Sequence, residues 1–488
     1  MGNRFYITTS IAYVNAPPHI GFALESLQAD VLARRNRKRG EEVFFLTGTD
    51  EHGAKIARAA EAAGKTPKQL VDENAERFRE LKVALNLSWD NFIRTSDSKV
   101  HWPVAQELWN RLAAAGDLYR KSYRGLYCVG HEAFVTEKDL VEGVCRDHKK
   151  EPEVIEEENW FFKLSKYTSE IESRIKNDEL RIVPETRKNE ILSLLHEGLE
   201  DVSFSRPAKD LTWGVPVPED DTQTMYVWAD ALSNYISGYG GIKKWEDHPV
   251  DVHIIGKDIL RFHAAIWPGM LLSAGLPLPK SIFVHGHILS DGQKMSKSLG
   301  NVVDPFELVQ KYGVDAVRYF LLREIPSSGD GDFSFEKFEE RYNGDLANGI
   351  GNFAARVLTL ASNADLRINA DDTDKLAENT VSQKIEEVKK LAGQKLEEFK
   401  LHEALEVIWA LIHFGDQYVN AKKPWAKELA EGDRRSAIYN ALVILDNVAA
   451  LLAPFLPETS EKITKAIKWE DKNLRVEKFG VLFPRIDK

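Results

Sequence analysis

Pro17-Pro18-His19-Ile20-Gly21-Phe22 stands where a β-rich run ends and a helical pattern begins. A helix N-terminus offers unpaired N–H groups and a partial positive charge, which suits phosphate. Gly21 lets a flat base or a ribose approach the backbone, and His19 can donate a hydrogen bond to a phosphate oxygen. Far downstream, Asp291-Gly292-Gln293-Lys294-Met295-Ser296-Lys297-Ser298 joins a tight-turn dipeptide to two lysines three apart. Such a flexible, cationic, hydroxyl-rich loop can close on a triphosphate and neutralise charge developing on a leaving group. A third constellation uses both cysteines of the chain, Cys128-x2-His131 and, thirteen residues on, Cys145-x2-His148. Two such clips at knuckle spacing provide four borderline-soft ligands for a tetrahedral Zn2+ of structural role. Asn352 and Arg356, four apart on one helix face, and Trp425 after Pro424 could read splayed bases by edge hydrogen bonds and stacking. Taken singly, each is equally a turn histidine, an exposed charged loop, a capping amide or a half-buried tryptophan.

The elements that must position these groups follow from periodicity. RFYITT (4–9) is a short β-rich run, 20–39 repeats Leu24, Leu27, Val31 and Leu32 at helical spacing, and VFFLTG (43–48) is an apolar run of buried-strand type. Strand, helix and strand within about 45 residues make a βαβ unit and predict an open parallel sheet. The alternation returns at VHIIG (252–256), a helix over 258–273, and SIFVH (281–285). Between these halves lie aromatics, scattered prolines and the acidic run EPEVIEEE (151–158), which read as an inserted domain. Asp304-Pro305-Phe306-Glu307 combines an N-cap, proline at the first helical position and an acid in the first turn. From about 345 onward amphipathic stretches such as 401–419 predict a helical bundle.

The fold class is therefore α/β, with five expected segments. These are the first half of a split Rossmann-like, nucleotide-binding parallel-sheet domain (1–118), an inserted domain with the knuckle (119–224), the second half of the sheet domain (225–290), a linker around the lysine loop (291–345) and a helical domain (346–488). With 43% hydrophobic and 29% charged residues, the chain is neither wholly disordered nor fibrous. No uninterrupted apolar run approaches the ~18 residues of a membrane span, and the N-terminus lacks an apolar signal region. Tyr6 occupies the position where a myristoylation motif needs Ser or Thr. Two cysteines in 488 residues make no disulfide framework, which fits a cytoplasmic protein. The net charge of −11 argues against indiscriminate RNA binding, yet 346–488 holds 21 Lys+Arg against 22 Asp+Glu. Phosphate contacts depend on where cations cluster, with Lys422-Lys423 and Arg434-Arg435 as local pairs.

In this order and on these elements, the first two motifs resemble the HIGH and KMSKS signatures of class I aminoacyl-tRNA synthetases, and among them the methionyl-tRNA synthetase family. The likeness runs through TTSIAYVNAPPHIG (8–21), GTDEHG (48–53), MYVWADALSNY (225–235), IIGKDILRFH (254–263), HGHILSDGQKMSKSLGN (285–301), NFAAR (352–356) and KPW (423–425). It implies ATP with Mg2+, L-methionine and tRNA(Met) as partners. His19, Lys294 and Lys297 become the catalytic groups, joined at ATP by Gly21, Glu25, Gly256 and His285. Around methionine it implies an apolar wall of Ile11, Trp228, Ala231, Leu232 and Tyr235, apt for a thioether whose sulfur favours aromatic edges. Asp50 pairs with the α-ammonium group, His263 and Tyr235 face the sulfur, and Asp258 shapes the wall. Asn352, Arg356 and Trp425 become readers of the anticodon, and a zinc knuckle is common at the place of Cys128, His131, Cys145 and His148.

The sequence departs from the family at Phe22, where a second histidine is usual, which removes one donor to phosphate or ribose. Leu232 stands where some members have proline, a mild change of pocket shape. The short insert disfavours specificity for leucine, isoleucine or valine, whose enzymes carry a large editing domain. A non-catalytic tRNA-binding paralogue remains the alternative, opposed by Lys294, Lys297 and Asp50. With no further domain after the bundle, a monomer is expected.

Overall fold

The computed structural model of the chain describes residues 3–130, 133–135, 139–147, 149–295, 300–363, 368–470 and 473–486, with the backbone alone at 123, 124, 133, 134, 155 and 294. It forms two compact units. One comprises Met1–Pro18, Asn36–Lys82 and Ser88–His285, the other His19–Arg35, Val83–Leu87 and Gly286–Lys488.

The first unit is built on a seven-stranded sheet with parallel pairings. Its order is Arg181–Val183, Ser281–His285, Val252–Gly256, Arg4–Thr9 and Glu42–Asp50, and both Ala12–Tyr13 and Asn91–Arg94 also pair with Glu42–Asp50. Arg4–Thr9 therefore lies between the strand that follows it and one that returns some 240 residues later, which makes it the switch point of the sheet. Crevices at the carboxyl ends of such strands are where open parallel sheets bind ligands. Continuous burial along Val252–Gly256 and Ser281–His285 explains their unbroken apolar sequences. Gly48 is required by close approach, because a Cβ there would lie 2.1 Å from the Ile93 carbonyl oxygen.

One expectation changes here. Arg181–Val183 falls inside the stretch 119–224 expected as an insert, yet it is an edge strand of the parallel sheet. Its three residues are too few to show a period. Most of the acidic run lies in the strand Glu153–Phe162, antiparallel to Leu118–Cys128 in a separate four-stranded sheet. Glu158 pairs with Arg120 at 3.2 Å, so the charges of the two strands offset each other.

The second unit is mainly helical: Pro305–Tyr312, Val314–Arg323, Asn352–Asn363, Asn379–Glu397, Leu401–Lys422, Glu431–Leu452 and Pro457–Ala466. Asp304 caps its helix as expected, the carboxylate accepting from Phe306 N–H at 2.7 Å. Glu431–Leu452 is long and apolar enough by composition to span a membrane, which corrects the reading that nothing approaches that size. Four of its five charges lie in its first five residues, the fifth being Asp446, and it packs against Asn352–Asn363, Leu401–Lys422 and Pro457–Ala466. Arg318, fully buried on Val314–Arg323, holds this unit together. Its guanidinium donates to Asp30 at 2.8 Å and to the carbonyls of Leu85, Pro454 and Phe455 at 2.7–2.9 Å.

Candidate functional site

In the first unit, Asp50 ends the central strand Glu42–Asp50 and is buried, while Ile11 directly follows the switch-point strand and packs on the core. The helix Val227–Leu232 carries Trp228, Ala231 and Leu232, and after Ser233 a second short helix, Asn234–Ser237, carries Tyr235. Ala231, Leu232 and Tyr235 are buried, and Trp228 is half-buried. The stretch 258–273 is not one helix. A 3-10 turn, Lys257–Ile259, leads into the π-helical turn Phe262–Ile266 and then the α-helix Trp267–Ser273. The wider turn changes the direction of the following side chains, a local device often found at functional sites.

That turn stacks Phe262 face to face on Trp228, with centroids 3.8 Å apart and planes 8° apart. It also places His263 Nε2 2.7 Å from the Tyr235 hydroxyl. His263 Nδ1 lies 3.0 Å from the Ile259 carbonyl, which can only accept, so Nδ1 carries the proton and Nε2 accepts from Tyr235 O–H. Burial pushes the His263 imidazole down to about 4, so the ring is neutral near pH 7. Beneath it, His253 is buried against Tyr235 and bonded through Nδ1 to Thr8 Oγ1 at 2.7 Å. Burial first, and then His263, hold His253 well below the usual imidazole value. The expected methionine residues Ile11, Asp50, Trp228, Ala231, Leu232, Tyr235 and His263 thus all lie in this unit, with Trp228, Tyr235 and His263 in one aromatic group. Asp258 is exposed. Gly256 and His285 end neighbouring strands, and a Cβ on Gly256 would touch the His285 ring at 3.7 Å.

Sequence reasoning assigned no role to His52, His101, Asp230, His253 or Phe262. His52 inside GTDEHG, Asp230 inside MYVWADALSNY and Phe262 inside IIGKDILRFH lie in motifs that carried a signal, whereas His101 and His253 lie in none and join the others through folding alone. Asp230 accepts from His52 Nδ1 and His101 Nε2, each at 2.7 Å, in full burial. Burial alone would raise this carboxylate, but the two histidines hold it down at about 2.

In the second unit, His19 precedes the helix Ile20–Lys38, which carries Gly21 and the buried Glu25 in its first two turns. Gly21 N–H donates to His19 Nδ1 at 3.0 Å, leaving the proton of the neutral ring on Nε2, free of that bond to donate. His19 is exposed by its surface area, yet desolvation by surrounding protein and then the nearby His287 lower its pKa. A Cβ on Gly21 would come within 2.8 Å of that ring. Phe22 is half-buried in the same turn.

Lys294 is not in an open loop. It pairs with Leu289 in a hairpin of Ile288–Ser290 and Gln293–Lys294. Asp291 and Gly292 turn the hairpin with φ of 50° and 75°, the left-handed pair that a two-residue hairpin demands. Lys297 lies outside the described residues, as do His131 and His148. Cys128 and Cys145 are not joined in a disulfide and are buried with Val135 in one small cluster, bordered by Leu126 and Leu140.

Of the three residues expected to read bases, two are in contact. Arg356 lies over the Trp425 ring at 4.9 Å and donates to Asn420 Oδ1 at 2.7 Å. Asn352, exposed, sits one turn earlier on the helix, and half of Trp425 is exposed. The neighbouring basic pairs are partly engaged within the fold. Lys422 pairs with Glu378 at 2.8 Å, and Arg434 donates to the carbonyls of Ala426 and Leu429.

The profile of tRNA synthetases class I (M) matches 5–150 and 135–358, and that of the anticodon-binding domain of tRNA ligase matches 378–480. The methionine–tRNA ligase of Brucella suis is 41% identical over 94% of this chain and 91% of its own length. That of Clostridium perfringens is 44% identical over 99% of this chain and 78% of its own length. A Mycobacterium tuberculosis methionyl-tRNA synthetase, solved in complex with methionyl-adenylate, superposes with a TM-score of 0.92 at 38% identity, covering 99% of this chain and 100% of that one. With this geometry, both domain matches and kinship along nearly its whole length, the chain belongs to the methionyl-tRNA synthetase family.

Proposed function

We propose that this protein attaches methionine to tRNA(Met) in two steps. A carboxylate oxygen of methionine attacks the α-phosphorus of ATP, and the bond to the bridging oxygen breaks, expelling pyrophosphate. The terminal ribose hydroxyl of tRNA then attacks the acyl carbon of the adenylate, and AMP leaves. The carboxylate is already a nucleophile, so catalysis is positioning and charge stabilisation, with Mg2+ arriving on the phosphates of ATP.

The observation that carries the amino-acid assignment is the locked His263–Tyr235 pair under the Trp228–Phe262 stack. It offers a soft, polarisable wall that a branched aliphatic chain fills less well. Asp50 takes the ammonium group. His19, Gly21, Glu25, Lys294 and Lys297 serve the phosphates and ribose, and Gly256 with His285 offers a flat edge to the base. Phe22 leaves His19 Nε2–H as the imidazole donor of that helix start. Arg356, Trp425 and Asn352 read the anticodon, Arg356 and Trp425 already stacked and Asn352 free in solvent to meet a base edge.

Zinc fits the described donors. Among the described residues both thiols are buried in one small cluster with Val135, bordered by Leu126 and Leu140, an arrangement that a metal crosslink would stabilise. Cys128 and Cys145 would hold it with His131 and His148, and the metal supplies a structural crosslink. Two buried cysteines without a disulfide support a reducing, cytoplasmic setting, and we read the chain as a monomer there.

Methionine-dependent ATP–pyrophosphate exchange tests the reading. Exchange without tRNA is expected, whereas none, or exchange driven by another amino acid, removes it. Trp425→Ala should lower charging of tRNA(Met) at least tenfold while leaving exchange within twofold, since stacking contributes about 1–3 kcal/mol per base. An equal fall in both would refute the division of labour.

A further inference from the structure

Asp230 has no role in the chemistry above, yet it is a fully buried carboxylate served by two histidines. A carboxylate only accepts, so His52 Nδ1–H and His101 Nε2–H both donate to it. His52 is two residues beyond Asp50, and Asp230 immediately precedes Ala231 and Leu232. On its far side, the His101 ring reaches Ser237 Oγ at 2.8 Å, at the end of the short helix that carries Tyr235. The turn after Asp50 is held at further points. The Trp213 indole N–H donates to the Glu51 carbonyl at 2.5 Å and packs edge-on to His52, while Arg94 clamps the Glu51 carboxylate at 2.7 and 2.9 Å.

A buried charge of this kind is a costly way to gain stability, and an apolar side chain of similar size commonly serves as well. Its value lies in direction, because satisfied buried polar networks permit one arrangement of the segments they join. We propose that Asp230 is a positioning residue for amino-acid selection, joining the turn that presents Asp50 to the two short helices that present Ala231, Leu232 and Tyr235. The inference rests on the methionine pocket proposed above. Through Asp230, the distance between the ammonium site and the side-chain wall is set by three hydrogen bonds rather than by loop packing.

Kinetics of ATP–pyrophosphate exchange on the full chain test this. Asp230→Asn keeps the volume but presents an amide N–H to one of the two histidine donors. It should raise the KM for methionine about tenfold, the scale of one lost charge-assisted bond, with the KM for ATP within twofold. Ser237→Ala should shift the methionine KM in the same direction by about threefold. A general structural role would degrade both KM values and kcat together, and that result, or unchanged methionine KM, overturns the proposal. If Asp230→Asn fails to fold by circular dichroism, Ser237→Ala decides the question by the same criterion. Asp50→Asn separates the two claims. If it leaves methionine KM unchanged, the pocket reading falls, whereas a strong Asp50→Asn effect beside a silent Asp230→Asn sinks only the positioning role.

Discussion

At position 263 the backbone chooses the protonation of a side chain. The Ile259 carbonyl takes the Nδ1 proton, so Nε2 must accept, and Tyr235 must donate. Tyr235→Phe removes that donor and leaves a buried acceptor unpaired, at a cost of about 1–3 kcal/mol. Methionine KM in exchange should rise about tenfold or more while ATP KM stays, an outcome read directly from initial rates. The same histidine makes stability depend on pH. Its folded value of about 4 lies below that of the unfolded chain, so between about pH 6.5 and 4 the unfolded state binds more protons. Stability therefore falls as pH drops through that window, by up to roughly 3 kcal/mol from this group, and His253 acts in the same direction. Urea unfolding at pH 7, 6 and 5 should show the slope, and His263→Gln should flatten it.

Among the elements, the knuckle lobe and the lysine hairpin show how little local sequence is needed for a turn and how much for a lobe. Asp291-Gly292 specifies its hairpin outright, since few other pairs accept two left-handed residues. Among the described residues the lobe's buried cluster is by contrast small, Cys128 and Cys145 with Val135, so two of its three members are thiols suited to a metal. Cys145→Ser should reduce zinc from about one per chain to near none, counted by plasma emission spectroscopy. Hydrogen exchange should then quicken within 126–147, with the parallel sheet still protected. Retained zinc, or loosening spread through the sheet, would contradict a local staple.

For the whole molecule, the decisive contact is again polar. Arg318 is fully enclosed and bonded to Asp30 and four carbonyls, which joins four separate stretches of the second unit. Arg318→Ala leaves Asp30 buried with Arg34 as its remaining cationic partner and should cost about 3–5 kcal/mol, seen as a fall in the thermal midpoint of that unit. Arg318→Met fills the space and should cost less. None of this was legible in sequence, because Arg318 sits in an ordinary amphipathic helix and its partners lie 136 to 288 residues away. The parallel strands, the Asp304 cap and the bundle were legible, because each is encoded by neighbours within one period.

The sequence by itself determined the family, through motifs whose order and spacing few other chains share, and with it the roles expected of Asp50, His19 and Trp425. It also determined the strands whose apolar runs are unbroken and the turns whose backbone only certain residues accept. Tertiary structure alone decided that a π-helical turn lays Phe262 on Trp228, that Arg181–Val183 closes one edge of the sheet, and that Asp230 meets two histidines from distant segments. The reason is physical. Motifs and periods are properties of adjacent residues, whereas burial, tautomer and charge pairing depend on which remote groups folding brings within three ångströms.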